Sequence, residues 1–170
     1  MEVLSVVIRF IIAVAMQVLV FKQIILFTDD FTYGTILFYP LFILLLPLRY
    51  AKSLILVLAF LLGITVDIFY DSPGVHASAS VFTAFIRPLF LKIMEPDSGY
   101  GIQIIPSKHY LGIVWFMQYA AYMLGAHILF YFSVEAFSFV FIKEIILKSL
   151  VTFGLSYIVI VIHQMLVNSK

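Results

Sequence analysis

The chain has 170 residues, of which 64% are hydrophobic and 11% are charged, and its mean hydropathy is +1.16. A soluble domain of this size has too little polar surface to cover so many apolar side chains, so the composition predicts a single polytopic membrane domain over 1–170. The formal net charge of +1 gives no electrostatic basis for nucleic-acid binding, and the lack of cysteine excludes disulfides and thiolate metal sites.

Runs of about 20 apolar residues, the length that crosses a bilayer, predict an all-α protein with about six transmembrane helices. They are expected near 3–26, 34–48, 52–71, 75–94, 111–133 and 145–167. The second run is short and contains Pro40 and Pro47, so a kinked or partly inserted helix is expected there. The longest connection, 95–110, is rich in proline and glycine and predicts a loop.

Charged residues in the connections predict the orientation. One side collects basic residues and the other mainly acidic ones, which by the positive-inside rule predicts a multi-pass protein with both termini in the cytoplasm. Lys143 and Lys148 fall on the outer side and weaken this argument, although acidic residues accompany them. The basic set is Arg49, Lys52, Arg87, Lys92 and Lys108, and the acidic set is Asp29, Asp30, Asp67 and Asp71.

The end of the third predicted helix holds ionisable residues that need an explanation. An aspartate at the centre of a membrane helix costs roughly 2.5 to 3.5 kcal/mol on insertion scales. Gly63, Asp67 and Asp71 recur every four residues, which predicts one narrow polar face. Pro73 and Gly74 are then expected to end the helix and reverse the chain.

Two interpretations of these residues follow. In the first, Asp71 caps the turn, His76 satisfies nearby backbone groups and Asp67 holds a neighbouring helix by hydrogen bonds. In the second, Asp67, His76 and His127 form a relay for protons or cations, a use that acidic residues and histidines have in membrane pumps. Asp67 and His127 fall at similar depths along their helices, so they are a candidate intramembrane polar pair.

The fourth predicted helix carries small residues on one side and a basic residue near its end. Ala77, Ser80 and Ala84 are small enough to let the backbones of the third and fourth helices approach closely. Arg87 is expected to extend its guanidinium to the lipid headgroups while its stem stays in apolar surroundings. Pro88 removes one backbone donor and frees a carbonyl that a partner could use.

The segments Gly63-Ile64-Thr65-Val66-Asp67 and Asp71-Ser72-Pro73-Gly74-Val75-His76-Ala77 resemble the central signature of the rod shape-determining protein MreD family. The specific resemblance is confined to the stretch 63–88, and elsewhere only hydropathy and size are similar. Many members have an additional leucine before the glycine of the turn, whereas here Pro73 directly precedes Gly74.

The resemblance implies a non-enzymatic scaffold of the bacterial cell-elongation machinery in the inner membrane. It implies binding to the bitopic protein MreC and, indirectly, to the actin-like MreB filament and to the polymerase and transpeptidase that build lateral peptidoglycan, with membrane lipid around the helices and no cofactor or metal. The structural or partner-binding motif that the resemblance implies consists of Gly63, Asp67, Asp71, Pro73, Gly74, His76, Ala77 and Arg87.

The fold of that family looks like the substrate-binding membrane component of energy-coupling-factor vitamin transporters, a compact bundle around an outer-facing cavity. A vitamin-binding component of this kind is therefore one alternative function, and a proton- or cation-coupled membrane protein is another.

Catalysis is not expected from the sequence. It has no serine nucleophile with a base and no glycine-rich phosphate loop, and Asp67 and Asp71 lack the neighbouring basic residue of a metal-dependent phosphate transferase.

Overall fold

The computed structural model describes residues 2–28, 31–97, 99–101 and 104–167. Asp29 and Asp30, which enter the orientation argument, lie outside these ranges. Helix α1 (Glu2–Ala15) continues through a π-helical turn (Met16–Val20) and a 3-10 turn (Phe21–Gln23) to an antiparallel hairpin of strands β1 (Ile25–Thr28) and β2 (Phe31–Thr35). The later helices are α2 (Pro40–Leu44), α3 (Lys52–Tyr70), α4 (Val75–Ile93), α5 (Lys108–Leu111), α6 (Ile113–Ala136) and α7 (Ile142–Leu166).

Within the described part of the chain, four helical stretches are long and apolar enough to cross a membrane. They are Leu4–Gln23, Lys52–Tyr70, Ile113–Ala136 and Ile142–Leu166. The helices predicted at 3–26, 52–71, 111–133 and 145–167 are therefore confirmed to within a few residues. The helix predicted at 75–94 is also present as α4, which is as long as α3 but less apolar and packs between α3 and α6.

The segment 34–48, counted as one of the six helices and expected to be kinked or partly inserted, does not form a membrane-length helix, and this prediction is wrong. The segment consists of the end of β2, an irregular stretch over 36–39 (called the extended stretch below) whose last residue, Tyr39, begins the turn into α2, the five-residue helix α2 itself, and turns. Every side chain over 36–46 is buried among the helices. The run is apolar because it fills the core of the protein, and hydropathy alone cannot separate that environment from lipid.

The extended stretch obtains its hydrogen bonds from side chains of two neighbouring helical segments. A non-helical backbone at membrane depth is tolerated only where such partners replace water. On one side Gln17, fully buried in the π-helical turn, acts as both donor and acceptor, and on the other side two hydroxyl groups of α7 accept. The bonds are Gln17 Nε2 to Ile36 O (3.0 Å), Phe38 N to Gln17 Oε1 (2.7 Å), Leu37 N to Ser156 Oγ (2.8 Å) and Thr35 N to Thr152 Oγ1 (3.2 Å).

Contacts at the two ends of the bundle indicate that the start of α1 and the end of α7 lie at the same end of it. Lys108 at the start of α5 donates to Met165 O near the end of α7 at 2.7 Å. Lys22, beyond the other end of α1, donates to Phe69 O near the end of α3. Burial and the nearby Glu95 carboxylate raise the pKa of the Tyr100 hydroxyl, in the loop after α4, to about 12.

Candidate functional site

The turn between α3 and α4 is built on two residues with positive φ. Asp71 follows the last residue of α3 with φ 51°, and its N–H donates to the Asp67 carbonyl. Gly74 precedes α4 with φ 87°, a conformation that glycine adopts without the penalty of a Cβ atom. Asp71 therefore ends the helix instead of extending its polar face, as the first interpretation expected of a capping residue. Pro73 lies exposed in the turn between them.

The carboxylate of Asp67 caps the N-terminus of α4 from the preceding helix. Its side chain is 3% exposed, and every group within hydrogen-bonding distance of it is a donor. The bonds to Oδ1 come from Ser72 Oγ (3.0 Å), His76 N (2.9 Å) and His76 Nδ1 (2.9 Å), and those to Oδ2 come from Gly74 N (3.1 Å) and Ala77 N (3.0 Å).

This set of partners, with three backbone N–H donors, favours the ionised form of Asp67. A carboxylate can only accept hydrogen bonds, whereas a protonated acid would turn an O–H group towards one of these donors. Three of the donors are backbone N–H groups in the first turn of α4, which have no acceptor within their own helix. The negative charge also lies at the positive end of the α4 dipole. Asp67 thus holds the neighbouring helix, as the structural interpretation proposed.

Gly63 allows the close approach of α3 and α4. A Cβ atom at this position would lie 2.4 Å from Ala77 Cα and 2.6 Å from His76 O. Atoms do not approach this closely, so any larger residue would force the two helices apart. Of the small residues predicted to bring these helices together, Ala77 lies at this contact, and the close packing places Asp67 within reach of the start of α4.

The imidazole of His76 is fully buried in an aromatic enclosure. Its ring centroid lies 4.8 Å from Tyr70, 4.9 Å from Tyr131 and 5.5 Å from Tyr39. Nδ1 faces the Asp67 carboxylate and therefore carries a proton and donates, while Nε2 is buried with no partner in the described part of the chain. His76 thus bonds through its ring to two side chains, Asp67 and Ser72, and not to nearby backbone groups as predicted.

His127 on α6 bonds to partners other than Asp67, so the structure does not bring the predicted polar pair together directly. The Thr83 hydroxyl donates to Ala79 O at 2.8 Å, so it must accept from His127 Nδ1, which lies 2.7 Å away. His127 Nε2 then accepts from the Tyr39 hydroxyl at 2.8 Å. The Tyr39 ring packs against the rings of both histidines, 5.3 Å from that of His127.

The prediction that Arg87 extends its guanidinium to the headgroups is wrong. The side chain is 2% exposed and points into the protein. Its Nε donates to the Tyr119 hydroxyl at 3.1 Å, and a terminal nitrogen donates to Leu46 O. Tyr119 in turn donates to Leu44 O at 3.4 Å. The cation therefore lies at the carbonyl end of α2, where the partial negative charge of a helix terminus stabilises it.

The sequence identifies the α3–α4 part of this buried polar cluster but misses the residues that connect it to other helices. Tyr39, Thr83 and Tyr119 look like ordinary members of apolar runs, and no local pattern marks them as hydrogen-bonding partners. The signal that was present is chemical: a fully buried histidine or arginine needs partners, and tyrosine and threonine supply them without a second charge.

An apolar groove of about 660 Å³ runs along the surface of α3, α4 and α6. Its floor includes the small residues Ala77 and Ser78 and the side chain of Val81, and its walls include Phe60 and Phe85. Phe85 is 73% exposed. The groove is formed largely by the α3–α4 hairpin, the same hairpin whose buried polar residues are Asp67 and His76.

Comparisons of the chain with family models, with curated proteins and with solved structures find no match.

Proposed function

We propose that this chain is a non-enzymatic membrane scaffold of the bacterial cell-elongation machinery, similar to MreD, and that it binds MreC. The observation that carries this proposal is the structural role of the motif that resembles the MreD signature. Its polar groups bond to the protein's own backbone and side chains, with Asp67 capping α4 and Gly63 against Ala77. A motif that fixes a helical hairpin suits a protein whose surface binds other proteins.

The groove along α3, α4 and α6 supports the choice of a single-span partner. It is almost wholly apolar, and the small residues Ala77 and Ser78 in its floor allow a helix backbone to approach closely. Ser78 donates to Val75 O, so its hydroxyl makes no demand on a partner. MreC docks its membrane-spanning helix along this groove and contributes its soluble domain outside the membrane.

The protein lies in the inner membrane with both termini in the cytoplasm, and the basic end of the bundle is the cytoplasmic end. Arg49, Lys52 and Lys108 belong to this end, together with the start of α1 and the end of α7. The outer end then presents the β1–β2 hairpin and the α3–α4 turn to the periplasm. The alternatives are a vitamin-binding transport component and a proton- or cation-coupled protein. Either would use the same helical bundle for a different function.

The test is affinity purification of the tagged chain from its native membrane in mild detergent, followed by mass spectrometry of proteins and small molecules. Recovery of MreC with the wall synthases is expected. Recovery of an ATP-binding-cassette module or a bound vitamin would instead establish the transport function, and depletion of the chain without loss of rod shape would refute the scaffold.

A pair of matched variants tests the groove itself. Val81→Trp fills its floor, and Leu150→Trp adds the same ring to α7, where the side chain is 64% exposed and outside the groove. We expect Val81→Trp to lower MreC recovery at least tenfold at unchanged abundance, and Leu150→Trp to leave it unchanged. Equal recovery with both variants would exclude the groove as the docking surface without excluding the scaffold.

A further inference from the structure

Two polar atoms of α4 are buried without a partner among the residues that the structure describes. His76 Nε2 and Ser80 Oγ are both on residues with no exposed surface, and neither has a hydrogen bond to a described residue. The residues are four apart on one helix, so they share a face with their Cβ atoms about 5–6 Å apart. Leaving each atom unsatisfied would be costly, and buried polar groups nearly always have a partner.

A third polar atom faces the same place. The Tyr39 hydroxyl bonds to His127, which bonds to Thr83, and Thr83 shares a face of α4 with His76 and Ser80. The Tyr39 proton is committed to His127 Nε2, so the lone pairs of the Tyr39 oxygen remain as acceptors. The ring of Tyr39 also packs 5.5 Å from that of His76.

We propose that one buried water molecule binds between His76 Nε2, Ser80 Oγ and the Tyr39 hydroxyl oxygen. The ligand must be small, neutral and able to donate two hydrogen bonds while accepting one. Water donates to His76 Nε2 and to the Tyr39 oxygen, and it accepts from the Ser80 hydroxyl. Three protein partners are the usual number for a buried water, and a polar site of this kind is the setting that retains one.

The bound water joins two hydrogen-bonded groups that are otherwise separate. One group is Asp67 with His76, which fixes the start of α4, and the other is Tyr39 with His127 and Thr83, which connects α6, α4 and the extended stretch. Through the water they form one continuous chain with every proton assigned. His76 and His127 both carry their ring proton on Nδ1 in this chain.

Solid-state NMR of the histidine-labelled protein in lipid bilayers tests the proposal, and it does not depend on the cellular function. We expect a His76 ring with Nδ1 protonated, an unprotonated Nε2 that accepts a hydrogen bond, and magnetisation transfer to that ring from a tightly held water. Ser80→Ala removes the water's donor and should abolish the transfer. Ser78→Ala is the matched control, because Ser78 bonds to Val75 O, and it should leave the transfer intact.

Three results would overturn the proposal. A proton on Nε2 would reverse the assigned pattern, and a bare Nε2 without water contact would show a dry site in which Ser80 bonds to a backbone carbonyl of its own helix. Full transfer in Ser80→Ala would place the water elsewhere. The Nδ1 signal that reports the bond to Asp67 serves as the check on folding, since it should be the same in both variants.

Discussion

Replacing Asp67 by asparagine removes the charge and one acceptor oxygen from the capping group of α4 while keeping its size. The carboxylate accepts three hydrogen bonds on Oδ1 and two on Oδ2. An amide has a single oxygen and presents N–H groups at the other position. The amide is best oriented with its oxygen in the place of Oδ1, where it keeps three hydrogen bonds. Its nitrogen then faces the N–H groups of Gly74 and Ala77, which lose their acceptor.

The expected loss in the free energy of unfolding follows from these two donors. Each donor that loses its acceptor in the protein interior costs about 1–3 kcal/mol. The missing charge at the N-terminus of α4 adds about 0.3–1 kcal/mol. Asp67→Asn should therefore destabilise the protein by roughly 2–7 kcal/mol, a large fraction of the roughly 5–15 kcal/mol that stabilises a folded domain.

Asp71→Asn is the matched control, because it makes the same chemical change four residues later. Asp71 is exposed and has φ 51°, a conformation that asparagine also adopts readily, so a change within about 0.5 kcal/mol is expected. Unfolding in mixed micelles can be followed by the fluorescence of the single tryptophan, Trp115. Equal stability of Asp67→Asn and the parent, or equal loss in both variants, would refute the capping role.

Three further substitutions test the packing and the buried polar contacts. Gly63→Ala should destabilise the α3–α4 hairpin by about 1–3 kcal/mol through overpacking against Ala77, whereas Gly154→Ala, with open space around it, should be neutral or slightly stabilising in the same unfolding assay. Gln17→Leu should cost about 3 kcal/mol or more, since it leaves two N–H groups and a carbonyl of the extended stretch without partners; a change below 1 kcal/mol would contradict this. Arg87→Lys should cost about 1–3 kcal/mol because lysine lacks the planar fork, and a neutral result would favour an arginine that reaches the headgroups.

The long helices could be predicted from the sequence because their apolar runs match the thickness of a bilayer. The segment 34–48 could not, since an apolar run reads the same whether it contacts lipid or protein. Its backbone partners are Gln17 and two hydroxyls of α7, more than 100 residues away along the chain in the case of Ser156. Pro40 and Pro47 signalled a break in the helix but not its replacement by an extended stretch.

Within the site, contacts between residues close in sequence could be predicted, whereas contacts between residues far apart in sequence could not. Asp67 precedes the α3–α4 turn by a few residues, so a capping role follows from spacing and helix chemistry. Tyr39 and His127 are 88 residues apart in sequence, and no local pattern pairs them. Arg87 was assigned by depth alone, because its acceptor, Leu46 O, becomes a helix-end carbonyl only once α2 is known to be short.

The motif that resembles MreD lies mostly inside the protein, which restricts how it can affect partner binding. Gly63, Asp67 and His76 are buried, whereas Asp71 and Pro73 are exposed in the α3–α4 turn. A buried member can change partner recovery only through the amount and shape of the folded hairpin. Asp67→Asn should therefore lower the abundance of the chain in the membrane while leaving MreC recovery per folded molecule unchanged. A fall in that ratio, measured by quantitative mass spectrometry against folded protein from size-exclusion chromatography, would mean that the turn itself belongs to the interface.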